Sequence, residues 1–243
     1  MKHLLIVGRP GAGKTNLLRH LAHELRGCAI DGFLIDELRD GHELLGFWLS
    51  SLDGRQALLA HRRMDSSHRV GPFRVNVGLL DTLGVSIIRR AMREALILFI
   101  DGLGRLLLGA PKFQAALEEA FDRGPRIIAS IGLHAAPSAE AFKRRHDVEL
   151  VPLSMTNRRQ VTEELDLRLK ALCEEDDRVR QLQAQADHIC EMIVASDVPE
   201  IDIEIQQARL RDTILKLFPD KQALYHLLYE SRFRRLWQQF REG

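Results

Sequence analysis

The chain has 243 residues, enough for one sizeable α/β domain, or for a domain with an appendage. Its 35 basic and 34 acidic residues give a net charge of +1, which argues against nucleic acid or an anionic membrane as the main partner. No stretch approaches the roughly 20 apolar residues of a membrane span, and the N-terminal apolar run is too short for a signal peptide. We therefore expect a cytoplasmic protein that binds neither nucleic acid nor membrane.

The cysteines argue against covalent or metal cross-links. There are three, Cys28, Cys173 and Cys190, far apart in the chain and without a C-x-x-C pair. Disulfide frameworks and zinc sites usually show an even number or a close spacing. We expect neither in this chain.

The first element is a short buried strand over His3–Val7, followed at once by a glycine-rich loop. Gly8 to Thr15 reads GRPGAGKT and matches G-x-x-x-x-G-K-[ST] in full. Apolar residues at helical spacing follow it, and Gly27 is a plausible end of that helix. These apolar residues are Leu17, Leu18, Leu21, Ala22 and Leu25.

Strand, glycine loop and helix occur in the order of a P-loop. The loop's backbone N–H groups form a nest for phosphate at the helix N-terminus. Lys14 can then reach the β- and γ-phosphates, and the Thr15 hydroxyl can hold Mg²⁺. We assign binding of a nucleoside triphosphate with Mg²⁺ to this segment. The binding residues are Gly8, Arg9, Pro10, Gly11, Ala12, Gly13, Lys14, Thr15 and Asn16.

The next part of the chain predicts antiparallel structure. Short segments over Leu44–Leu49, Gln56–His61 and Pro72–Asn76 are separated by turn residues. Asp53-Gly54 between two apolar runs is a strong hairpin signal. An amphipathic helix is then predicted over Leu79–Ala95.

A second strongly apolar strand, Ala95–Ile100, ends at Asp101. This is the form of the second P-loop motif, in which an aspartate at the end of a strand supports the metal. The alternative is an ordinary strand that ends in a turn-forming Asp-Gly. With the P-loop upstream, we assign Asp101, with Thr15, to the metal.

Strands and helices alternate in the rest of the domain. We predict helices over Pro111–Phe121 and Ser138–Arg145, and strands over Arg126–Ile131 and Val148–Leu153. This predicts an α/β fold of the P-loop NTPase type. It has three layers, with helices on both faces of a mostly parallel sheet that carries an antiparallel insertion.

The pattern changes at about Leu165, so we predict two domains, a nucleotide-binding domain over 1–164 and an α-helical extension over 165–243. Apolar residues at heptad spacing predict one long helix, and Ser196 to Pro199 break it. Further helices are predicted over Ile201–Phe218 and Lys221–Arg241. The heptad residues are Leu165, Leu172, Val179, Leu182, Ala186, Ile189 and Ile193. Two roles stay open: packing against the core or within itself, and a surface for a second copy or a protein partner.

Four stretches in the first 165 residues together resemble the THEP1-type nucleoside-triphosphatases, also called the cancer-related NTPase family. Besides the P-loop, GFLIDELR followed by LGF is similar to the family's GF-x-T-x-E-[VI]-R … GF. RVGPFRVNV is close to its RVG-x-Y-x-V-x-V, and Asn157-Arg158 match its NR pair. The two middle stretches are Gly32–Arg39 with Leu45–Phe47, and Arg69–Val77.

The resemblance implies slow hydrolysis of ATP, GTP and other nucleoside triphosphates with Mg²⁺. It places Lys14 among the catalytic residues, with Glu37 and Arg39 near the phosphates. It places Asn157 and Arg158 near the base.

The second motif departs from the family pattern. The family typically reads IDEIGKME, whereas this chain reads IDGLGRLL over Ile100–Leu107. Gly102 replaces the glutamate that would orient the attacking water, and Leu107 replaces a second acidic residue. The missing glutamate is expected to slow turnover, because a general base typically contributes about 10²–10⁴-fold. Asp36, Glu37 and Glu43 are candidates to replace it.

Two other functions stay open for this sequence. The first is a regulatory or interaction protein that binds nucleotide with little hydrolysis. The second is a small-molecule or nucleotide kinase, because P-loop folds host both chemistries. For the kinase, Arg62, Arg63 and Arg69 are candidates for the arginines of a lid.

Overall fold

The computed structural model describes residues 2–195, 197–218 and 225–242. Two compact units, Met1–Cys173 and Glu174–Gly243, make up the chain. The division into domains over 1–164 and 165–243 stays a prediction, since a compact unit is not evidence of independent folding.

A nine-stranded sheet, counted over the described residues, is the centre of the first unit. Its strands are β1 His3–Gly8, β2 Ile30–Asp40, β3 Glu43–Ser51, β4 Gln56–His61, β5 Arg69–Val70, β6 Phe73–Val75, β7 Ile97–Leu103, β8 Arg126–Gly132 and β9 Val148–Pro152. Over the described residues, the main α-helices are α1 Lys14–Glu24, α2 Val85–Glu94, α3 Pro111–Arg123, α4 Pro137–Lys143, α5 Arg158–Val194, α6 Glu200–Leu217 and α7 Ser231–Phe240. A π-helical segment, His226–Glu230, precedes α7. A short helix Val77–Leu79 and a π-helical turn Leu80–Gly84 lead into α2.

The strand order is β5-β6-β4-β3-β2-β7-β8-β1-β9. Strands β2, β7, β8, β1 and β9 pair in parallel, and β2 to β6 form the antiparallel part. The parallel strands are nearly continuous apolar runs because helices cover both of their faces. The α/β fold with three layers and an antiparallel insertion is therefore confirmed.

Two elements differ from the sequence expectation. Strand β2 was not predicted, because its charged residues and Gly32 are depleted in strands in general. Gly32 has φ +138°, and a Cβ there would stand 2.0 Å from the carbonyl oxygen of Phe99, so only glycine fits. Strand β7 runs on to Leu103, so placing Asp101 at the strand's end was wrong.

The first half of α5 packs along α1 in register. Val161, Leu165 and Leu169 lie in one apolar cluster with the buried leucines of α1. Three polar contacts join residues that are 146 positions apart: Arg158 to Ala12, Asp166 to His20, and Lys170 to Glu24. The helix begins at Arg158 rather than near Leu165, so its first turns belong to the core of the nucleotide-binding unit.

Cys28 and Cys173 form a disulfide, so the expectation of no such bond was wrong. Their Cα atoms are 5.8 Å apart, although 145 positions separate them in sequence. Cys28 follows the end of α1 and Cys173 lies on α5, so the bond joins the same two segments that the polar and apolar contacts join. The third cysteine, Cys190, is a buried free thiol.

The second unit has its own apolar cluster, built from the last part of α5, from α6 and from the C-terminal helix. Tyr225 and Phe233 are buried in it, whereas Leu228 and Phe240 are exposed, so only some of the large apolar side chains near the C-terminus pack within the unit. Val179 is also exposed, which interrupts the predicted heptad seam. Helix α5 ends at Val194 and α6 begins at Glu200, so the predicted break over Ser196 to Pro199 is confirmed for residues 197–199. Ser196 and the predicted helix start at Lys221 lie outside the described residues.

None of the helices in the described ranges is both long enough and apolar enough to cross a membrane.

Candidate nucleotide site

The glycine loop between β1 and α1 has the backbone that a phosphate nest requires. Gly11 and Gly13 adopt positive φ angles of +78° and +90°, a region that residues with a side chain rarely enter. A Cβ at Gly8 would stand 2.6 Å from the carbonyl oxygen of Leu153. The positive φ angles of Gly11 and Gly13, and the close approach of Leu153 to Gly8, thus explain why these three positions are glycine.

Lys14 opens α1 and folds back over the loop. Its Nζ donates to the carbonyl oxygens of Gly8 at 2.9 Å and Arg9 at 3.0 Å. Partial burial lowers the pKa of the Lys14 ammonium, and the negative charge of Asp101 opposes that shift. The lysine and the aspartate of the two motifs are therefore close enough to interact electrostatically.

Asp101 is held firmly from two neighbouring strands. It is only 2% exposed, and its Oδ1 accepts from the Ser130 hydroxyl at 2.5 Å. Its Oδ2 accepts from the backbone N–H of Ile35 at 3.2 Å. A carboxylate has about four acceptor positions, so Asp101 can still accept from a metal-bound water.

The oxygen donors of Thr15 and Asp101 suit Mg²⁺, which prefers carboxylate and hydroxyl ligands and keeps several waters. Thr15 is half-buried at the start of α1, the predicted metal position of the motif. These residues fit the ion that the P-loop chemistry implies.

Gly102, where the family's glutamate would lie, has φ +75°. Its N–H donates to Ser130 at 2.8 Å. A Cβ at this position would lie 3.0 Å from the Ile35 side chain. Leu107, at the second acidic position, is fully buried in the core. Gly102 therefore fits the local backbone, and Leu107 fits the apolar core of this chain.

Glu37 and Arg39 pair with each other on the surface of β2. Arg39 Nε donates to Glu37 at 2.6 Å, and both side chains are about half exposed. Arg39 also donates to the carbonyl oxygen of His42 at 3.1 Å. No described contact joins either residue to the P-loop, so their catalytic role stays a prediction.

Arg158 lies directly against the P-loop. Its guanidinium donates to the carbonyl oxygen of Ala12 at 2.9 Å, and its atoms stand 2.7 Å from where a Cβ of Gly13 would be. Asn157 shapes the turn after β9: its Oδ1 accepts from Ser154 N–H at 2.8 Å, and its Nδ2 donates to the Pro152 carbonyl at 2.9 Å. Arg158 is thus at the site, and Asn157 positions the loop that carries it.

Two side chains at the site were not singled out from the sequence. Ser130 binds Asp101, and Arg19 on α1 pairs with Asp36 on β2. Arg19 also donates to Asn16 at 3.3 Å. The weak sequence signal for Ser130 was a polar residue inside an otherwise apolar strand.

An open cavity of about 920 Å³ adjoins the site at Asn16 and extends along α1 to Ala29 and Arg90. Its lining does not include Lys14 or Asp101. The cavity therefore does not coincide with the glycine loop between β1 and α1.

The arginines considered for a kinase lid lie on the antiparallel strands. Arg62 follows β4 and pairs with Glu43 at 2.8 Å, and Arg69 lies in the edge strand β5. Strands β3, β2, β7 and β8 separate β4 from β1, which leads into the P-loop. The strand order therefore gives no support for Arg62 or Arg69 as part of a lid over the P-loop.

The family model described as NTPase matches residues 3–165 of the chain. The chain belongs to the NTPase family. This confirms the resemblance on which the assignments by position rest.

Several sequence relatives of this chain are named nucleoside-triphosphatase THEP1. The chain is 35% identical to nucleoside-triphosphatase THEP1 of Thermotoga maritima over 162 residues, which are 67% of this chain and 92% of that protein. It is 31% identical to THEP1 of Methanocaldococcus jannaschii over 164 residues, 67% of this chain and 94% of that protein.

Among solved structures, THEP1 from the hyperthermophile Aquifex aeolicus matches with a TM-score of 0.61 and 27% identity. That match covers 68% of this chain and 96% of the other. A human cancer-related nucleoside triphosphatase also has a TM-score of 0.61, at 24% identity, over 70% of this chain and 98% of that one, which bears on the fold alone. The family match ends at residue 165 and therefore does not include the second unit, Glu174–Gly243.

Proposed function

We propose that this NTPase-family chain is a Mg²⁺-dependent nucleoside-triphosphatase that slowly hydrolyses ATP and GTP to the diphosphate and phosphate. The observation that carries the proposal is the phosphate nest at Gly8–Thr15 with Lys14 and Asp101 close enough to interact across it. Phosphoryl transfer needs mainly positioning and charge stabilisation, which these groups supply.

Each residue of the site has one proposed task. The N–H groups of the glycine loop bind the β-phosphate, and Lys14 leaves the carbonyl oxygens of Gly8 and Arg9 to bind the γ-phosphate. Thr15 and Asp101 would hold Mg²⁺, which would supply positive charge to the phosphate oxygens. Arg158 supports the base side of the site, and Asn157 fixes the turn from which it extends.

The slow rate follows from Gly102. A glycine offers no carboxylate to orient the attacking water, and the loss of such a base costs about 10²–10⁴-fold. The three candidate carboxylates are all ion-paired: Asp36 with Arg19, Glu37 with Arg39 and Glu43 with Arg62. None of them is an unpaired base in this state.

The phosphate nest, combined with the glycine at position 102, also supports a second candidate function. This is a nucleotide-binding regulatory protein with little hydrolysis. In that case the helical unit Glu174–Gly243 is the part that contacts a second copy or a protein partner. Its exposed apolar residues, which include Ile201, Ile205 and Leu227, are compatible with such a contact.

Product analysis separates these functions. The protein at high concentration is incubated with ATP or GTP, with and without Mg²⁺, and nucleotides and free phosphate are quantified together. Equal amounts of diphosphate and phosphate, formed only with Mg²⁺, support the hydrolase. Tight binding without product favours the regulatory protein. Diphosphate without matching free phosphate, in the presence of an added acceptor, points to a kinase.

A further inference from the structure

Strand β7 makes a local bulge at the second motif. Its pairing with β8 runs Ile100↔Ala129 and then resumes at Leu103↔Ile131. Two residues of β7, Asp101 and Gly102, therefore face the one residue Ser130 of β8. Such a bulge leaves a backbone group without its ladder partner and redirects the side chains beside it.

Ser130 completes this bulge with its hydroxyl. Its Oγ accepts from Gly102 N–H at 2.8 Å, and its O–H donates to Asp101 Oδ1 at 2.5 Å. Ser130 is only 1% exposed, so no bulk water replaces either bond. One hydroxyl thus satisfies the backbone of the bulge and orients the carboxylate.

The carboxylate is fixed from both sides. Ser130 on β8 holds one oxygen, and the N–H of Ile35 on β2 holds the other. Because these donors come from the two strands that flank β7, the carboxyl plane cannot rotate without losing a bond to a buried donor.

We propose that Ser130 is the positioning residue for the metal-supporting aspartate of this site. It fixes the direction in which Asp101 presents its remaining acceptor positions to the water shell of Mg²⁺. This inference rests on the proposed function, since it assigns Mg²⁺ to Thr15 and Asp101.

The test is Ser130→Ala, with Mg²⁺-dependent nucleotide binding as the readout. A fluorescent ATP analogue is titrated without Mg²⁺ and at increasing Mg²⁺. We expect the Mg²⁺ concentration that gives half of the maximal increase in nucleotide affinity to rise about 10- to 100-fold. Removing other groups that orient a metal ligand has effects of this size. Affinity without Mg²⁺ is expected to stay within about twofold, because the hydroxyl does not touch the glycine loop.

Ser51→Ala is the matched control. Ser51 is also a buried strand serine, 6% exposed, and its hydroxyl also donates to an aspartate, Asp53, at 2.7 Å. Asp53 is bound to arginines away from the P-loop, so this variant is expected to leave the Mg²⁺ dependence unchanged. If Ser130→Ala does not fold, Ser130→Cys replaces the hydroxyl by a weaker donor in a slightly larger side chain, and the Mg²⁺ dependence is expected to shift in the same direction.

The outcomes separate this proposal from the proposed function. A wild-type protein whose nucleotide affinity does not respond to Mg²⁺ would overturn the Mg²⁺-dependent function itself. A wild type that responds, with a Ser130 variant that responds equally, would overturn the positioning role alone. An equal shift in Ser51→Ala would also overturn it, since the effect would then be a general loss of strand packing.

Discussion

Replacing Cys173 with serine is expected to lower the free energy of unfolding of the first unit by about 2–5 kcal/mol. The bond to Cys28 closes a loop over a sequence separation of 145. The chain-entropy relation gives about 5 kcal/mol for a loop of this length, and measured effects of disulfides are usually about 2–4 kcal/mol. The expected loss of about 2–5 kcal/mol covers both the measured range and the chain-entropy value.

The other contacts of α5 should keep the helix in place when the bond is absent. Val161, Leu165 and Leu169 stay buried against α1, and Arg158 still binds the carbonyl oxygen of Ala12. The exposed pair Lys170–Glu24 adds little, because surface ion pairs contribute weakly to stability. We therefore expect a less stable first unit with the same fold.

The chain offers a clean fluorescence assay. Its two tryptophans are Trp48 in β3 and Trp237 in α7, so Trp237→Phe leaves a reporter in the first unit alone. Urea unfolding in this background is compared with and without a thiol reductant. The reductant should lower the midpoint of the protein with the Cys28–Cys173 bond and leave the Cys173→Ser variant unchanged.

Two results would refute this reasoning. Coincident urea midpoints with and without reductant would mean that the bond adds no stability. Three titratable thiols in the protein unfolded without reductant would mean that the bond is not formed.

Three further predictions concern burial, titration and backbone conformation. Leu21→Ala should cost about 2–5 kcal/mol in urea unfolding because Leu21 is fully buried, whereas Leu167→Ala, at 74% exposure, should cost under about 0.5 kcal/mol. Burial lowers the pKa of His3, whose Nδ1 accepts from Ile127 N–H, so the unfolded chain binds more protons below about pH 6.5. Thermal stability should therefore fall as pH decreases through that range, and His3→Gln should flatten the slope; an unchanged slope would exclude His3 as its source. Gly102→Ala should cost about 1–2 kcal/mol in urea unfolding, because φ +75° disfavours a Cβ, and a neutral result would contradict the assigned backbone conformation.

The P-loop was predictable because all of its determinants are local. Strand, glycines, Lys14 and helix follow one another within a few residues, and the chemistry requires that order. The buried leucines of α1 followed from the 3.6-residue period for the same reason. The core of the site was therefore available from the sequence alone.

The features that were missed depend on contacts between distant segments. The role of Ser130 arises from a register shift between β7 and β8, and no local pattern encodes a register. Cys28 and Cys173 meet only because α5 packs along α1, a tertiary arrangement that cysteine spacing does not reveal. Strand β2 was missed because tertiary burial between β3 and β7 outweighs its unfavourable local composition.

Phosphate release by the full chain, compared with Lys14→Ala, tests the central claim most directly. Lys14 is the group that must leave the carbonyl oxygens of Gly8 and Arg9 to bind the γ-phosphate. We predict slow, Mg²⁺-dependent release from ATP and GTP that falls at least about 100-fold in the variant, as when other transition-state donors are removed. Equal release by both proteins would contradict the account, since the observed activity would then not come from the P-loop.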